Sequence, residues 1–450
     1  MTDEQVLEAV AAQAPWMEAL LADLVRAPTV LGDEDAGQAV MARAFADCGL
    51  EPIDVPLRAD ALRGAEGASP FSWDVAGKRN VVATWAADAP TDGARSLILN
   101  GHVDIVPPAA EHLWTHAPYG AEREGDWLYG RGAGDMKAGL AAMVGAVRAL
   151  RALGLPLGAP VQLQSVVEEE CTGHGALQCL LDGHRADACV ITEPHPDHLT
   201  VAQVGVLWFH VDVDGEPAHA ARADRLGFNA IEAAGAVLEA LRALEADLNA
   251  DPPPPYDAFA HPINLNPGIV AGGDWTSTVA ASCTLSCRLA CYPGGSPDAL
   301  ATRVEATVAR AAAEDPRVAG GRVRVRYDGF RCEGCTVAGD EPLVRALGDA
   351  YATRHGARPE LVATTATTDA RHFVRAGIPA VCFGPRAERI HGIDERVSLS
   401  SMVETAQVLA LFVRDWSGAI RTGPGGPAGS KEEEDHVVHD RGPAGRRVRA

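Results

Sequence analysis

Residues 130–167 read GRGAGDMKAGLAAMVGAVRALRALGLPLGAPVQLQSVV. A glycine-rich turn opens the stretch. Leu140, Met143, Val144, Val147 and Leu150 then recur at helical spacing over 137–153 and share one face. Residues 161–167 have the short apolar texture of a strand. Upstream, residues 96–106 (SLILNGHVDIV) form another apolar strand, and 80–84 a further one. Strands alternating with helices predict an α/β fold with a mainly parallel central sheet.

Further out, residues 4–26 and 36–48 carry apolar positions at helical spacing. From about Gly205 the texture changes to a strand at 206–213, a helix at 229–248, a proline run at 252–255, further strands and a segment at 297–313. This reads as a small α+β unit. After Asp328 the α/β pattern resumes through 341–355 and 380–383. The expected organisation is therefore a discontinuous domain, 1–204 and 329–421, interrupted by an insert at 205–328. Residues 422–450 are rich in Gly and Pro with opposed charge runs, so a disordered tail is expected there.

Composition narrows the functional classes. A chain of 450 residues exceeds what one hydrophobic core organises, so two domains are expected. Apolar residues make up 47%, yet no run approaches the roughly 18 residues that a spanning helix needs. The net charge of -22 argues against nucleic acid or an anionic membrane as partner, because both reward basic patches. Residues 1–6 are polar and acidic and lack a signal-like apolar run, which leads to the expectation of a cytoplasmic protein. Ten cysteines scattered from Cys48 to Cys382 form no compact framework and are expected as reduced thiols. Cys283, Cys287 and Cys291 would share one strand face as packing residues.

The chemistry-bearing residues cluster at predicted strand ends. His102-x-Asp104 closes the strand at 96–106, where a period of two turns both side chains to one face. A metal-binding imidazole commonly gives its other N–H to a carboxylate, so Asp104 suits a supporting role behind His102. Asp135 sits in the glycine-rich turn just before the helix. The turn lacks the GK[ST] ending of a phosphate loop and presents an acid where a phosphate would be repelled. Glu168, Glu169 and Glu170 follow the strand at 161–167, and three crowded carboxylates at a strand end suit a divalent cation. Alternation lets one of them bind metal while its neighbour faces substrate as a base. Glu193 in TEP and His391 in IHG complete the set. Each is unremarkable alone; the argument is that one α/β domain collects them all, in the place where open sheets put their sites.

Together GHVDIVP, GRGAGDMKAG, VVEEECTG, TEP, TTDAR and IHG resemble the M20 metallopeptidase family in order and spacing, from about residue 10 to 418. That family includes acetylornithine deacetylase, succinyl-diaminopimelate desuccinylase, aminoacylase and glutamate carboxypeptidase. The resemblance implies two divalent ions, most naturally zinc, with cobalt or manganese as alternatives. Asp135 would bridge them, His102 and Glu193 completing one site, Glu170 and His391 the other. Glu169 would be the general base, and the insert a lid and dimerisation domain, making the protein a homodimer. His219 matches a histidine that reaches a neighbouring subunit's active site, while Arg288, Thr368, Asp369 and Arg371 match positions near substrate. The implied reaction is hydrolysis of an amide bond in a small N-acylated amino acid or peptide-like substrate. A dipeptidase or carboxypeptidase of the same family, or an inactive binding protein keeping the fold, are the alternatives. One departure, TSTV at 276–279 where many relatives carry an asparagine, bears on substrate choice rather than on metal binding.

Overall fold

The computed structural model describes residues 1–418, so the tail expected at 422–450 lies outside the described residues. A large mixed sheet runs in the order Pro52–Pro56, Arg79–Trp85, Val161–Val166, Leu97–His102, Ala188–Ile191, Ala380–Cys382, His198–Gln203, Cys335–Thr336, with Glu360–Thr364 also pairing to His198–Gln203. Pairings are parallel at the centre, where Leu97–His102 lies between Val161–Val166 and Ala188–Ile191. Antiparallel pairs close the margins. Parallel strands must be covered on both faces, and the helices do this.

The helix read at 137–153 spans Ala138–Ala152, and all of it except Arg148, Arg151 and Ala152 is buried. Periodicity pointed to one buried face. The helix is instead enclosed by Ala14–Arg26, Leu399–Ser417 and the strand Leu97–His102, and its alanines and glycines let these neighbours close in. Gly139 shows why small residues are needed: a Cβ there would lie 1.8 Å from the Thr192 carbonyl oxygen. That close approach draws the glycine-rich turn towards the strand end carrying Glu193. The helical stretch at 4–26 divides into Asp3–Ala11 and Ala14–Arg26, with Pro15 in the first turn of the second helix, where its missing N–H costs nothing.

Within the middle segment, strands Leu265–Gly272, Ser282–Cys291, Gly205–Asp214 and Arg322–Arg326 form an antiparallel sheet. Helices Ala230–Leu248 and Pro297–Glu314 pack beside it. Leu207, Phe209, Val211, Leu285 and Leu289 join Val237, Leu241 and Val304 in a core of their own. All ten cysteines are free, and Cys283, Cys287 and Cys291 are buried on the strand Ser282–Cys291. No described helix is long and apolar enough to cross a membrane.

Candidate metal centre

Four site residues leave the same edge of the parallel sheet, from three strands. His102 ends its strand, Glu169 and Glu170 follow Val161–Val166, and Glu193 follows Ala188–Ile191. Asp135 comes from the turn before helix Ala138–Ala152, and His391 from the loop between the short strands Ala387–Glu388 and Arg396–Ser398. Their side chains converge. His102 Nε2 lies 3.2 Å from Asp135 Oδ1 and 3.5 Å from Glu193 Oε1. His391 Nε2 lies 3.3 Å from Asp135 Oδ2 and 3.0 Å from Glu170 Oε1. The two oxygens of Asp135 thus serve two separate groups of nitrogen and oxygen donors.

This donor set fits divalent cations. Ligands about 2.0–2.1 Å from a tetrahedral ion stand roughly 3.3 Å from one another, close to all four separations. Charge argues the same way, since Asp135, Glu169, Glu170 and Glu193 crowd four carboxyl groups around two imidazoles. Burial and then Asp135 push Glu193 up to about 8. Burial would lower His391, yet Glu170 and Asp135 hold it up at about 11. For Glu169, burial lifts the carboxyl well above its usual range, and its Oε1 has no hydrogen-bond partner among the described residues. A buried, protonatable carboxyl with a free oxygen is suited to proton transfer.

The supporting contacts differ in one respect from expectation. His102 Nδ1 meets the backbone carbonyl of Asp104 at 2.9 Å, while the Asp104 carboxylate stays 3.7 Å away. That carboxylate instead accepts the amides of Glu169, at 3.3 Å, and Glu170, at 3.1 Å. The strand ends at His102, so the alternation assumed for Asp104 no longer applies. It thereby ties the glutamate loop to this strand end, and burial pushes its own carboxyl up to about 7.

Two further carboxylates support the site: Glu395, which the sequence reading did not single out, and Glu168, which it named only as part of the glutamate triplet. Glu395 accepts the amides of Gly134 and Asp135 and pairs with buried Arg131 at 2.5 Å, so it holds the turn that presents Asp135. Glu168 is fully buried and binds Lys78 Nζ at 2.8 Å, the Trp73 indole N–H at 2.8 Å and the Thr172 hydroxyl at 2.9 Å. Only a carboxylate at a strand end signalled Glu168, and its partners Trp73 and Lys78 lie 95 and 90 residues away in the chain.

A cavity of about 620 Å³ opens onto this centre, lined among others by Glu169, Glu170, His391, Trp208, His210, Arg288 and Phe330. Arg288 is half-buried, donates one hydrogen bond to the Thr365 carbonyl at 3.3 Å, and makes no ion pair with a described residue. Thr368 and Arg371, expected near substrate, do not line this cavity. Thr368 Oγ1 donates to Gln203 Oε1 at 2.7 Å, and Arg371 donates to the Thr368 and Thr172 carbonyls, both side chains being buried. Asp369, also buried, does not line the cavity either. Thr364, Thr365, Ala366 and Thr367 line it in their place. His219 is exposed, accepts the Ala221 amide, and lies outside this cavity.

A family model described as Peptidase family M20/M25/M40 matches residues 98–415. The chain is 32% identical over 335 residues to the succinyl-diaminopimelate desuccinylase of Maricaulis maris, covering 72% of this chain and 81% of that protein. It is 29% identical over 373 residues to the N-formyl-4-amino-5-aminomethyl-2-methylpyrimidine deformylase of Bacillus subtilis, covering 78% of this chain and 86% of that protein. The structure of human carnosine dipeptidase 1 shares the fold with a TM-score of 0.75 at 16% identity, over 92% of this chain and 98% of that one.

Proposed function

Since the chain belongs to the M20/M25/M40 peptidase family, we propose that it uses two divalent cations, most naturally zinc, to hydrolyse the amide bond of a small N-acyl amino acid or related N-acyl amine. The observation carrying this is the division of the Asp135 carboxylate, one oxygen towards His102 and the other towards His391. His102, Asp135 and Glu193 would hold one cation, and Asp135, Glu170 and His391 the other. When bound, such ions polarise a carbonyl and acidify water. Relatives named for removing formyl and succinyl groups support an N-acyl substrate over a dipeptide.

The chain's own residues would do the rest. Glu169 would take a proton from the attacking water and return it to the leaving nitrogen, as its raised pKa and unpartnered oxygen allow. Asp104 would keep Glu169 and Glu170 in register through their amides. Arg288, a half-buried guanidinium without a counter-ion among the described residues, would receive a substrate carboxylate.

The insert at 205–328 would act as lid and as dimer contact. Its edge strand Leu265–Gly272 exposes Ile269 and Val270, and Trp275 beside it is 73% exposed, which suits pairing with a second copy. His219 would then reach a site only across that dimer. Free thiols suit a reducing, cytoplasmic setting. The test is metal analysis of the purified protein together with hydrolysis of N-formyl, N-acetyl and N-succinyl amino acids beside simple dipeptides. Metal at about two equivalents with turnover of an N-acyl compound is expected; turnover of dipeptides alone would move the assignment to a peptidase.

A further inference from the structure

The antiparallel sheet of the middle segment turns one face to the cavity, and that face carries aromatic and cationic side chains apart from the candidate metal ligands. Trp208 stands opposite Arg288, and His210 opposite Ser286, across the strands Gly205–Asp214 and Ser282–Cys291. All four line the cavity that Glu169 also lines. Intervening Leu207, Phe209, Leu285 and Leu289 point the other way, into the helix-covered core.

The indole of Trp208 is held in place from several sides. Its ring meets Phe330 edge to face, with centroids 5.2 Å apart at 87°. Behind Phe330 lies the buried Arg371, whose guanidinium carbon is 5.1 Å from the ring centroid. Gly329, at φ +92°, leaves room for the indole, because a Cβ there would come within 2.3 Å of Trp208 Cε3. The Trp208 amide donates to the Phe330 carbonyl at 2.6 Å. The result is a fixed aromatic wall beside an arginine that has no described carboxylate partner.

Spacing decides what fits. Residues directly opposite in an antiparallel pair have Cβ atoms about 4.5–5.5 Å apart. An anion on Arg288 and a group against Trp208 must therefore be joined through only a few atoms. An α-carboxylate and the ring of an aromatic amino acid have that separation. A linear aliphatic acid would satisfy Arg288 but set methylene groups against the wall, forgoing the ring–ring contact.

We propose that the amine half of the substrate is a planar aromatic or heteroaromatic ring carrying a carboxylate within a few bonds, as in an N-acyl aromatic amino acid, its ring against Trp208 and Phe330 and its carboxylate on Arg288. The proposal rests on the amide-hydrolase reading. Water adds across the acyl C–N bond, the acyl carbon taking the hydroxyl and the nitrogen the proton, so the product released against the wall is the aromatic amine.

The test compares N-acetyl-L-phenylalanine and N-acetyl-L-tryptophan with N-acetyl-L-leucine on the metal-loaded full chain, in wild type, Trp208→Leu and Trp208→Phe. Wild type should favour the aromatic substrates in kcat/KM by about tenfold, the order that aromatic pairing supplies beyond burial. Trp208→Leu should remove that preference, and Trp208→Phe, which restores a ring, should recover much of it. Equal kcat/KM for aromatic and leucine substrates, or a preference that survives Trp208→Leu, overturns the proposal. A second arm measures binding of free L-phenylalanine and L-leucine to the Glu169→Gln variant by calorimetry, without turnover. Tighter phenylalanine binding is expected, and equal binding overturns the aromatic wall. If no N-acyl compound is hydrolysed, the hydrolase reading fails, while this binding arm still decides the wall.

Discussion

Glu168 and Glu169 are consecutive in the chain and opposite in electrostatic character. Burial would raise the Glu168 carboxyl, yet His174 and Lys78 hold it down at about 2. Burial raises Glu169 well above the usual range, with Asp369, Glu193 and Glu170 adding to the effect against the opposing pull of His102. Local sequence makes these two glutamates interchangeable; what separates them is His174 together with Lys78, which lies 90 residues upstream of Glu168 and also binds Glu34 at 2.8 Å. The candidate metal ligands could be picked out because each lies in a familiar fragment, whereas the ion pair beneath them could not, since a lone lysine carries no signal. Glu169→Gln should retain both cations by metal analysis and lose about 10²- to 10⁴-fold in kcat, the range for removal of a general base; near-normal turnover would discard that assignment. Lys78→Met should cost about 3–5 kcal/mol in denaturant unfolding, because it strands buried carboxylates. Acid dependence follows from the same pair. Since the folded pKa of Glu168 is depressed, its stabilisation is complete above the ordinary carboxylate value of about 4.5 and disappears as pH falls through about 2. Without Lys78 that depression is reduced, so the variant's stability deficit relative to wild type should shrink as pH falls from about 4.5 towards 2; a deficit that does not change with pH would mean that Lys78 does not hold Glu168 ionised.

Among elements, helices and strands with a clear period were readable almost to the residue, as Ala230–Leu248 against 229–248 illustrates. Elements whose role is to hold a loop were not. Ala387–Glu388 and Arg396–Ser398 are too short to leave a pattern, yet between them they place His391 and, just beyond, Glu395. Glu395 ties this ladder to the glycine-rich turn by accepting the Gly134 amide at 2.9 Å and the Asp135 amide at 3.0 Å. Asp135 is thereby positioned from two directions: the helix behind it, docked through Gly139, and the carboxylate in front. Outer partners of this type commonly contribute 10- to 100-fold to metal affinity. Glu395→Gln should accordingly weaken cation binding by about that factor in competition with a chelating dye, while the far-ultraviolet circular dichroism stays that of wild type. Unchanged affinity in a folded variant would show that the turn keeps Asp135 in place without it.

At the scale of the whole molecule, the bounds expected near Gly205 and Asp328 rest on a change of sequence texture, and the antiparallel sheet with two helices in the middle segment has a rhythm unlike the parallel strands before it. The placement of His219 could not be read in this way, because under the dimer proposed above it would depend on a second chain. In one chain it stands exposed, outside the cavity that holds Glu169. The exposed apolar edge at Ile269 and Val270 belongs to the same insert, so dimerisation there would carry His219 on each copy towards its partner. This yields a quantitative expectation. His219→Ala and Glu169→Gln homodimers should each be inactive. In a dimer of one copy of each, the subunit that keeps Glu169 borrows an intact His219 from its partner, and the other site lacks both groups. Random exchange makes half of the dimers mixed, with one working site of two, so a mixture should recover about one quarter of wild-type activity per subunit. Recovery requires exchange, which mass measurement on differently tagged copies would verify. Complete exchange without recovered activity would rule out action in trans, and His219 would then have to be explained by its exposed surface alone.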